Sequence, residues 1–225
     1  IQQITEEIVS RMAATAKRLT GASALCLSGG VALNCVANGK LLRQNIFEDM
    51  WIQSAAGDAG GALGAAYAAH HLYFGEARST PPSPDAMQGA YLGPEFCDLD
   101  VRHMARRYKA PFSHFPEAES LCAAVAGDLA AGRAVGWFQG RMEWGPRALG
   151  NRSILGDARN ADMQKRLNLK IKFRESFRPF APAVLYENAA EYFDSDRPSP
   201  YMLLIADVAP HRRNPLPEDY HALPL

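Results

Sequence analysis

The sequence lacks any long apolar run, any excess of one charge sign and any repetitive segment. No stretch of its 225 residues approaches the roughly 18 uninterrupted apolar residues of a membrane span, which argues against an integral membrane protein. Lys plus Arg number 24 and Asp plus Glu also number 24, so overall charge does not indicate a general polyanion binder. The composition, 48% hydrophobic and 21% charged, is typical of a soluble globular protein with one large or two modest domains.

Cysteine is scarce, and its spacing matches no zinc site. The four cysteines form no CxxC pair and have no histidine at zinc-ligand spacing: Cys26, Cys35, Cys97 and Cys122. Cys26 and Cys122 stand in apolar stretches, so we expect them in the core. The chain starts at Ile1 without a leader sequence, and we expect a cytoplasmic protein. The missing initiator Met and the apolar run at 221–225 lead us to expect that both ends are cut from a longer polypeptide.

Positive charge is concentrated in one part of this neutral chain. From Arg133 to Arg178 there are eleven basic and four acidic residues, so this segment carries +7 and the remainder −7. A local excess of this kind predicts a focused anion site. The alternative is a solvated helix face around Lys165 to Lys172.

The apolar pattern predicts two α/β segments. Up to Leu72 the order is helix, strand, glycine turn, helix, strand, glycine turn, helix. The first helix covers residues 1–19 and ends at Gly21, the strands lie at 22–27 and 50–53, and the second helix runs from Val31 to Leu42. Prolines and glycines from Pro81 to Pro94 then mark a domain boundary. Further elements are expected beyond it: helices near 98–109, 117–131 and 161–170, strands at 112–115, 134–139, 181–186 and 202–208, and a long loop over 139–157.

The first candidate site is the glycine turn Ser28-Gly29-Gly30, which leads to Asn34. A glycine pair between a strand and a helix lets the backbone approach a ligand, and the next helix N-terminus offers N–H groups to an anion. Asn34, one turn in, is suited to bind a sugar hydroxyl. A plain strand-to-helix turn explains the same pattern.

The second candidate site is the loop from Gly57 to Gly64, which has four glycines around Asp58. Backbone in such a loop can contact phosphate, and Asp58 at its mouth is placed to hold a phosphate-bridging metal. Close helix packing explains the glycines equally well, although it does not require the aspartate.

The third candidate site is the loop 140–153, which holds three arginines flanked by glycine or proline. Arg141, Arg147 and Arg152 are suited to bind phosphate or carboxylate through their guanidinium forks. Glu143 is a candidate to orient one of them. Lys172 and Arg178 extend the positive charge. The six histidines, by contrast, show no metal or triad spacing.

In this order, the three motifs and the segment Phe177-Arg178-Pro179-Phe180-Ala181-Pro182 resemble one family, the NodU/CmcH-type O-carbamoyltransferases, over about residues 20–208. The resemblance implies an α/β fold: the end of an actin-like (Kae1-like, ASKHA) domain at 1–75, a linker at 76–94, and the start of a YrdC-like domain at 95–225. It also implies a two-step reaction. Carbamoyl phosphate and ATP give carbamoyl-adenylate, and the carbamoyl group then passes to a hydroxyl of a small-molecule acceptor.

The same resemblance assigns roles to residues. It implies that Arg141, Arg147 and Arg152 act in catalysis and that nucleotide and metal are bound in the first segment. The residues expected to bind carbamoyl phosphate or the adenylate are Arg141, Met142, Glu143, Arg147, Asn151, Arg152, Lys172 and Arg178. Those expected to bind nucleotide are Gly29, Gly30, Asn34, Gly57 and Gly60. Asp58 is the expected ligand of a divalent metal, identified by the resemblance as iron.

The sequence departs from the family in one respect. The HxxxH iron ligands of the family belong to an N-terminal half that has no counterpart here. We therefore expect the missing N-terminal half of the polypeptide to be a partner of this chain, and we expect no turnover by the chain alone.

Two other readings stay open. YrdC relatives act in tRNA modification, so the basic segment could contact RNA, but its arginines are compactly bounded by glycine and proline and no aromatic ladder accompanies them. Nucleic acid is therefore not the expected partner. A sugar-kinase-like protein would explain the first glycine motif and leave the arginine loop unexplained.

Overall fold

Residues 1–79, 85–195 and 198–216 are described by the computed structural model, which is mixed α/β with small sheets. The chain forms two compact units. Unit 1 comprises Ile1–Gly93, Glu143–Leu149 and Ala189–Pro210, and unit 2 comprises Pro94–Met142, Gly150–Asn188 and His211–Leu225. The actin-like and YrdC-like assignments and the domain boundaries stay predictions. Within the described ranges, no helix is both long and apolar enough to cross a bilayer.

Unit 1 opens with the predicted helix, α1, at Gln2–Thr20. It ends at Gly21, which adopts a left-handed conformation (φ 65°) and donates its N–H to the carbonyl of Lys17 at 2.9 Å. Helix α1 packs on α2 (Cys35–Arg43), where the Ser10 hydroxyl donates to Gln44 Oε1 at 2.7 Å. The helix predicted for the first residues, with its end at Gly21, is thus confirmed.

The two predicted strands of the first segment pair in parallel. Strand β1 (Ala24–Leu27) aligns with β2 (Asp49–Ile52), with Ala24 opposite Asp49 and Leu27 opposite Ile52. After β2 the chain enters α3 (Asp58–Ala68) and a π-helical turn at Ala69–Tyr73. Both glycine motifs therefore follow the carboxyl ends of neighbouring parallel strands, where ligand loops of α/β sheets lie.

The continuous helix predicted from Val31 to Leu42 is wrong in its first part. A 3-10 turn at Gly30–Leu33 comes first, and the backbone is then extended at Asn34 (φ −79°, ψ 90°). The Asn34 side chain accepts a hydrogen bond from the N–H of Ala37 at 3.1 Å and so caps α2. Asparagine is a strong N-cap residue, which explains why the α-helix starts at Cys35.

A late segment of the chain completes unit 1. It contains α7 (Ala189–Tyr192), numbered in chain order, and the antiparallel pair β5 (Phe193–Asp194) and β6 (Asp207–Val208). Only the last two residues of the strand predicted over 202–208 are in a strand. Residue Ile205 instead packs on α2, where a Cβ added to Gly39 would lie 2.7 Å from its side chain.

Tyr201 ties this late segment to the turn after residue 84. Its hydroxyl donates to Asp85 Oδ2 and accepts from the Gly89 N–H at 3.2 Å. Partial burial opposes ionisation of Asp85, but hydrogen bonds from Tyr201, Gly89 and Met87 lower its pKa below the ordinary 3.8. Burial and the hydrogen bond to Asp85 raise the pKa of Tyr201 above its ordinary value.

We expect Tyr201→Phe to lower the free energy of unfolding by about 2 kcal/mol near neutral pH, because a hydrogen bond to a charged acceptor is lost. Because folding lowers the pKa of the Asp85 carboxyl from its ordinary 3.8, ionised Asp85 stabilises the fold above that pH. This contribution disappears as the pH falls through the folded-state pKa. The difference between variant and wild type should therefore shrink at about pH 3. Urea unfolding at the two pH values measures it, with Tyr73→Phe, at an exposed ring of unit 1, as the control. An equal loss at both pH values would contradict the assignment.

The described residues of unit 2 form three α-helices and one antiparallel strand pair. Helices α4 (Asp98–Arg107) and α5 (Ala118–Ala130) precede β3 (Val135–Phe138), which pairs with β4 (Arg152–Leu155). Helix α6 (Met163–Leu167) continues into a π-helical turn at Asn168–Lys172.

Three sequence expectations fail in unit 2. Residues 112–115 and 181–186 form no strand, and the expected loop 139–157 contains β4. Pro111 and Pro116 flank residues 112–115, whereas Pro179 precedes residues 181–186 and Pro182 lies within them. Proline has no N–H to donate to a β-ladder, which disfavours strand pairing in both segments.

The expected burial of two cysteines is also wrong. Cys26 lies on β1, where alternation turns Ala24 and Cys26 outward and leaves Leu25 and Leu27 half-buried. Cys122 lies on an exposed face of α5. An apolar neighbourhood in sequence therefore did not indicate burial at either position.

Candidate functional site

The two glycine motifs lie side by side in unit 1. The Gly29 N–H donates to the carbonyl of Ala56 at 2.8 Å, which joins the loop after β1 to the loop after β2. Gly29 has φ +93°, a conformation that side chains rarely adopt, and a Cβ added at Gly29 or Gly30 would meet no atom within 4 Å. The turn is thus open to close approach by a ligand.

Asn34 is held at the end of the first loop by two sets of contacts. Besides capping α2, its amide makes a reciprocal pair with Gln2 of α1, at 3.1 Å (Gln2 Nε2 to Asn34 Oδ1) and 2.9 Å (Asn34 Nδ2 to Gln2 Oε1). The side chain therefore has a structural role in this conformation. Its expected contact with a sugar hydroxyl stays a prediction.

The second loop requires glycine at one of its positions. Gly57 is the N-cap of α3, Asp58 is the first helical residue, and the Asp58 side chain is exposed. A Cβ added to Gly60 would lie 2.2 Å from the carbonyl oxygen of Ala55. Helix α3 therefore starts in direct contact with the backbone of the loop that precedes it.

Part of the arginine motif packs on these loops. Residues Glu143–Leu149 belong to unit 1, and Arg147 Nη2 donates to the carbonyl of Leu33 at 2.9 Å. Gly145 (φ +117°) approaches Ala55 so closely that an added Cβ would lie 3.0 Å from the Ala55 Cβ. Arg147 and Gly145 thus place this segment against both glycine loops.

Glu143 connects the two ends of the segment Glu143–Leu149 by a hydrogen bond. Its side chain is buried, with residue exposure of 4%, and Oε1 accepts the N–H of Leu149 at 2.6 Å. The Tyr91 hydroxyl donates to the Leu149 carbonyl at 3.0 Å, and the Trp144 N–H donates to the Ala90 carbonyl at 2.5 Å. These bonds fix the loop that presents Arg147.

The rest of the arginine motif lies in unit 2, at the β3–β4 pair. Asn151 is buried, donates its amide to the Arg141 carbonyl at 2.7 Å and accepts from Gln139 at 3.1 Å. The Arg141 guanidinium donates to Glu95 at 3.2 Å, and both side chains are about half exposed. Arg152 opens β4 opposite Phe138.

A second group of basic residues in unit 2 follows helix α6. Lys172 is exposed at the end of the π-helical turn, and Arg178 pairs with Glu175 (Nε to Oε2, 2.8 Å) in the following loop. The Arg174 guanidinium stacks over the Phe180 ring at 4.9 Å. These residues form a basic surface, called here the 172–178 loop.

The parts of the chain that hold the three motifs match two family models of known proteins. The family model for the carbamoyltransferase N-terminus matches residues 1–67, and the one for the carbamoyltransferase C-terminus matches residues 126–223. The chain belongs to the carbamoyltransferase family. The recognised resemblance is thereby confirmed.

Three proteins illustrate the similarity of this carbamoyltransferase-family chain to known sequences. It is 38% identical to nodulation protein NolO of Bradyrhizobium diazoefficiens, over 96% of this chain and 39% of NolO. It is 36% identical to the 3'-hydroxymethylcephem-O-carbamoyltransferase of Streptomyces clavuligerus, over 91% of this chain and 36% of that protein. It is 52% identical to the uncharacterized protein sll1178 of Synechocystis, over 99% and 36%. The chain thus spans a little over a third of the length of these relatives.

The structure groups the expected site residues of this carbamoyltransferase-family chain by unit. Those in unit 1 are Gly29, Gly30, Asn34, Gly57, Asp58, Gly60, Glu143 and Arg147. Those in unit 2 are Arg141, Met142, Asn151, Arg152, Lys172 and Arg178. The carbonyl of Leu33, which Arg147 contacts, was not among the sequence candidates, because no sequence signal marks a backbone acceptor 114 residues away.

The metal expectation rests on one residue. Over residues 1–79, 85–195 and 198–216, no three His, Cys, Asp or Glu side chains come together so as to hold a metal ion. A single exposed carboxylate does not make a site, since metal sites in proteins combine several ligands. The described residues therefore do not fit a metal by themselves, and Asp58 as a ligand of iron stays a prediction.

Proposed function

We propose that the polypeptide carrying this sequence transfers a carbamoyl group from carbamoyl phosphate to a hydroxyl group of a small molecule, with ATP as co-substrate. The observation that carries the proposal is the match of both carbamoyltransferase family models to one chain in the expected order. Water first releases phosphate from carbamoyl phosphate and leaves carbamate. A carbamate oxygen then attacks the α-phosphorus of ATP, which displaces pyrophosphate and forms carbamoyl-adenylate. The acceptor oxygen then displaces AMP from the carbamoyl carbon and loses its proton.

Unit 1 supplies the nucleotide-binding residues in this proposal. The open turn at Gly29 and Gly30 lets a phosphate or ribose approach the backbone, and the adjoining loop at Gly57 and Gly60 offers further N–H groups. Arg147 contributes in two ways, through its charge and through its bond to Leu33, which fixes the first loop. Positioning is the main contribution that such residues make to phosphoryl chemistry.

Unit 2 supplies the anion-binding residues. Arg141, Arg152 and Arg178 provide guanidinium groups, which bind phosphate through paired N–H donors, and Lys172 provides a compact exposed charge. Met142 and Asn151 line the same segment, where the Asn151 amide fixes the Arg141 backbone. The basic excess of the sequence thus serves one small anion, carbamoyl phosphate.

The acceptor is a small molecule with a free hydroxyl, as the name of the cephem-modifying relative states for that protein. RNA is not favoured, because the relatives named above are nodulation and cephem-carbamoylating proteins. No step is assigned to a metal, since no three His, Cys, Asp or Glu side chains of the described residues come together to hold one.

Pyrophosphate release by the full polypeptide tests the proposal. We expect release to require ATP and carbamoyl phosphate together, with one phosphate formed for each pyrophosphate. Lys172→Ala should lower the rate at limiting carbamoyl phosphate about tenfold or more, because a charge contact to the substrate is lost. Lys165→Ala, at another exposed lysine of unit 2, is the matched control and should leave the rate unchanged. Release of pyrophosphate without carbamoyl phosphate would contradict the proposal.

A further inference from the structure

Two asparagines are buried where large apolar side chains are usual. Asn168 is 0% exposed and Asn38 is 1% exposed, and they are the largest fully buried side chains of the described chain. Burying an amide is costly unless its donors and acceptor are hydrogen-bonded. Each of these side chains donates to a backbone carbonyl in a segment that carries candidate site residues: Asn168 to Arg178, and Asn38 to Ala32 in the turn after Gly29 and Gly30.

Asn168 uses both ends of its amide on the 172–178 loop. Nδ2 donates to the carbonyls of Ser176 at 3.0 Å and Arg178 at 2.8 Å, and Oδ1 accepts from Arg174 Nε at 2.6 Å. The backbone carbonyl of Asn168 also accepts the N–H of Arg174 at 3.0 Å. Four bonds therefore run from one residue to the loop.

A second amide supports the same loop from the surface. Gln164, an exposed residue of α6, donates to the carbonyls of Phe177 at 3.2 Å and Arg178 at 3.1 Å. The Arg178 carbonyl thus accepts from two side chains, whereas its guanidinium lies half exposed beside Glu175. The backbone of Arg178 is fixed and its charged end remains accessible.

We propose that Asn168, assisted by Gln164, is a positioning residue that holds Arg178 in the geometry that binds the phosphate of carbamoyl phosphate. The proposal rests on the proposed function. It follows from the four bonds and from the burial of the amide, because residues 173–178 include no strand or helix to fix them. A displacement of about 1 Å at a binding group is enough to lower a rate strongly.

Asn38 supports an independent, parallel proposal in unit 1. Its Nδ2 donates to the carbonyl of Ala32 at 2.8 Å and to the carbonyl of Leu203 at 3.0 Å. Ala32 lies in the 3-10 turn after Gly29 and Gly30, and Leu203 is buried. Asn38 is a positioning residue for the nucleotide loop, which it fixes to the late segment of unit 1.

The test measures KM for each substrate in the full polypeptide, by pyrophosphate release. Asn168→Asp keeps the acceptor for Arg174 and removes both donors, and we expect the KM for carbamoyl phosphate to rise about tenfold or more while the KM for ATP stays within about twofold. Asn38→Asp should give the reverse pattern. Each variant is thus the matched control for the other, since both change a fully buried asparagine.

Gln164→Leu keeps the test decisive if a buried variant does not fold, because Gln164 is exposed. It should raise the KM for carbamoyl phosphate several-fold without lowering the melting temperature. Equal changes in both KM values for Asn168→Asp, or an unchanged KM for carbamoyl phosphate in Gln164→Leu, would overturn the role of Asn168. Equal changes in Asn38→Asp would overturn that of Asn38. Absence of turnover in the wild type would instead reject the proposed function.

Discussion

Gly60→Ala is expected to lower the free energy of unfolding by about 3 kcal/mol, the upper range for overpacking a tight contact. The added methyl group would lie 2.2 Å from the carbonyl oxygen and 3.0 Å from the carbonyl carbon of Ala55. These are backbone atoms of the loop that leads to Gly57, so neither side of the contact can move without displacing the loop.

Gly61→Ala is the matched control, one position along the same helix. An added Cβ at Gly61 would meet no atom within 4 Å, and alanine is the better helix former by about 0.5–1 kcal/mol. Urea unfolding of the two variants should therefore give changes of opposite sign. Equal and small changes would show that α3 does not start against Ala55 as described.

Arg147→Ala is expected to lower kcat/KM for the full reaction about 100-fold or more, while the melting temperature falls far less. The substitution removes a cation next to the nucleotide loop and the bond from Nη2 to the carbonyl of Leu33. Steady-state kinetics and a thermal melt of the same preparation measure the two effects. Proportional losses in rate and in melting temperature would assign Arg147 to stability alone.

Two further variants separate charge from geometry at this position. Arg147→Lys keeps the charge but not the planar fork, so it should recover only a small part of the activity. Arg43→Ala, at an exposed arginine of unit 1, should leave kcat/KM unchanged. A full recovery by lysine would mean that the charge matters and the bond to Leu33 does not.

Local signals in the sequence predicted several elements well. Gly21 ended α1 as expected, because a glycine C-cap is decided within one turn of helix. The two apolar runs before the glycine motifs became β1 and β2, since a short apolar run followed by glycine is a strong strand signal. These predictions depended on neighbours in sequence only.

Long-range contacts explain the failures. The arginine motif read as one loop, but β4 begins at Arg152 and Arg147 binds Leu33, a contact that no local pattern encodes. Asn38 and Asn168 were not candidates, because asparagine usually lies on the surface. Their roles come from the carbonyls that they meet, which only the folded chain brings together.

Calorimetric titration of the full polypeptide with carbamoyl phosphate tests the central claim most directly. We predict saturable binding that is lost in Arg178→Ala, and no binding of a short RNA. Inorganic phosphate serves as the control for recognition of phosphate alone. A folded wild type that does not bind carbamoyl phosphate, or that binds RNA with a steep dependence on salt, would contradict the account.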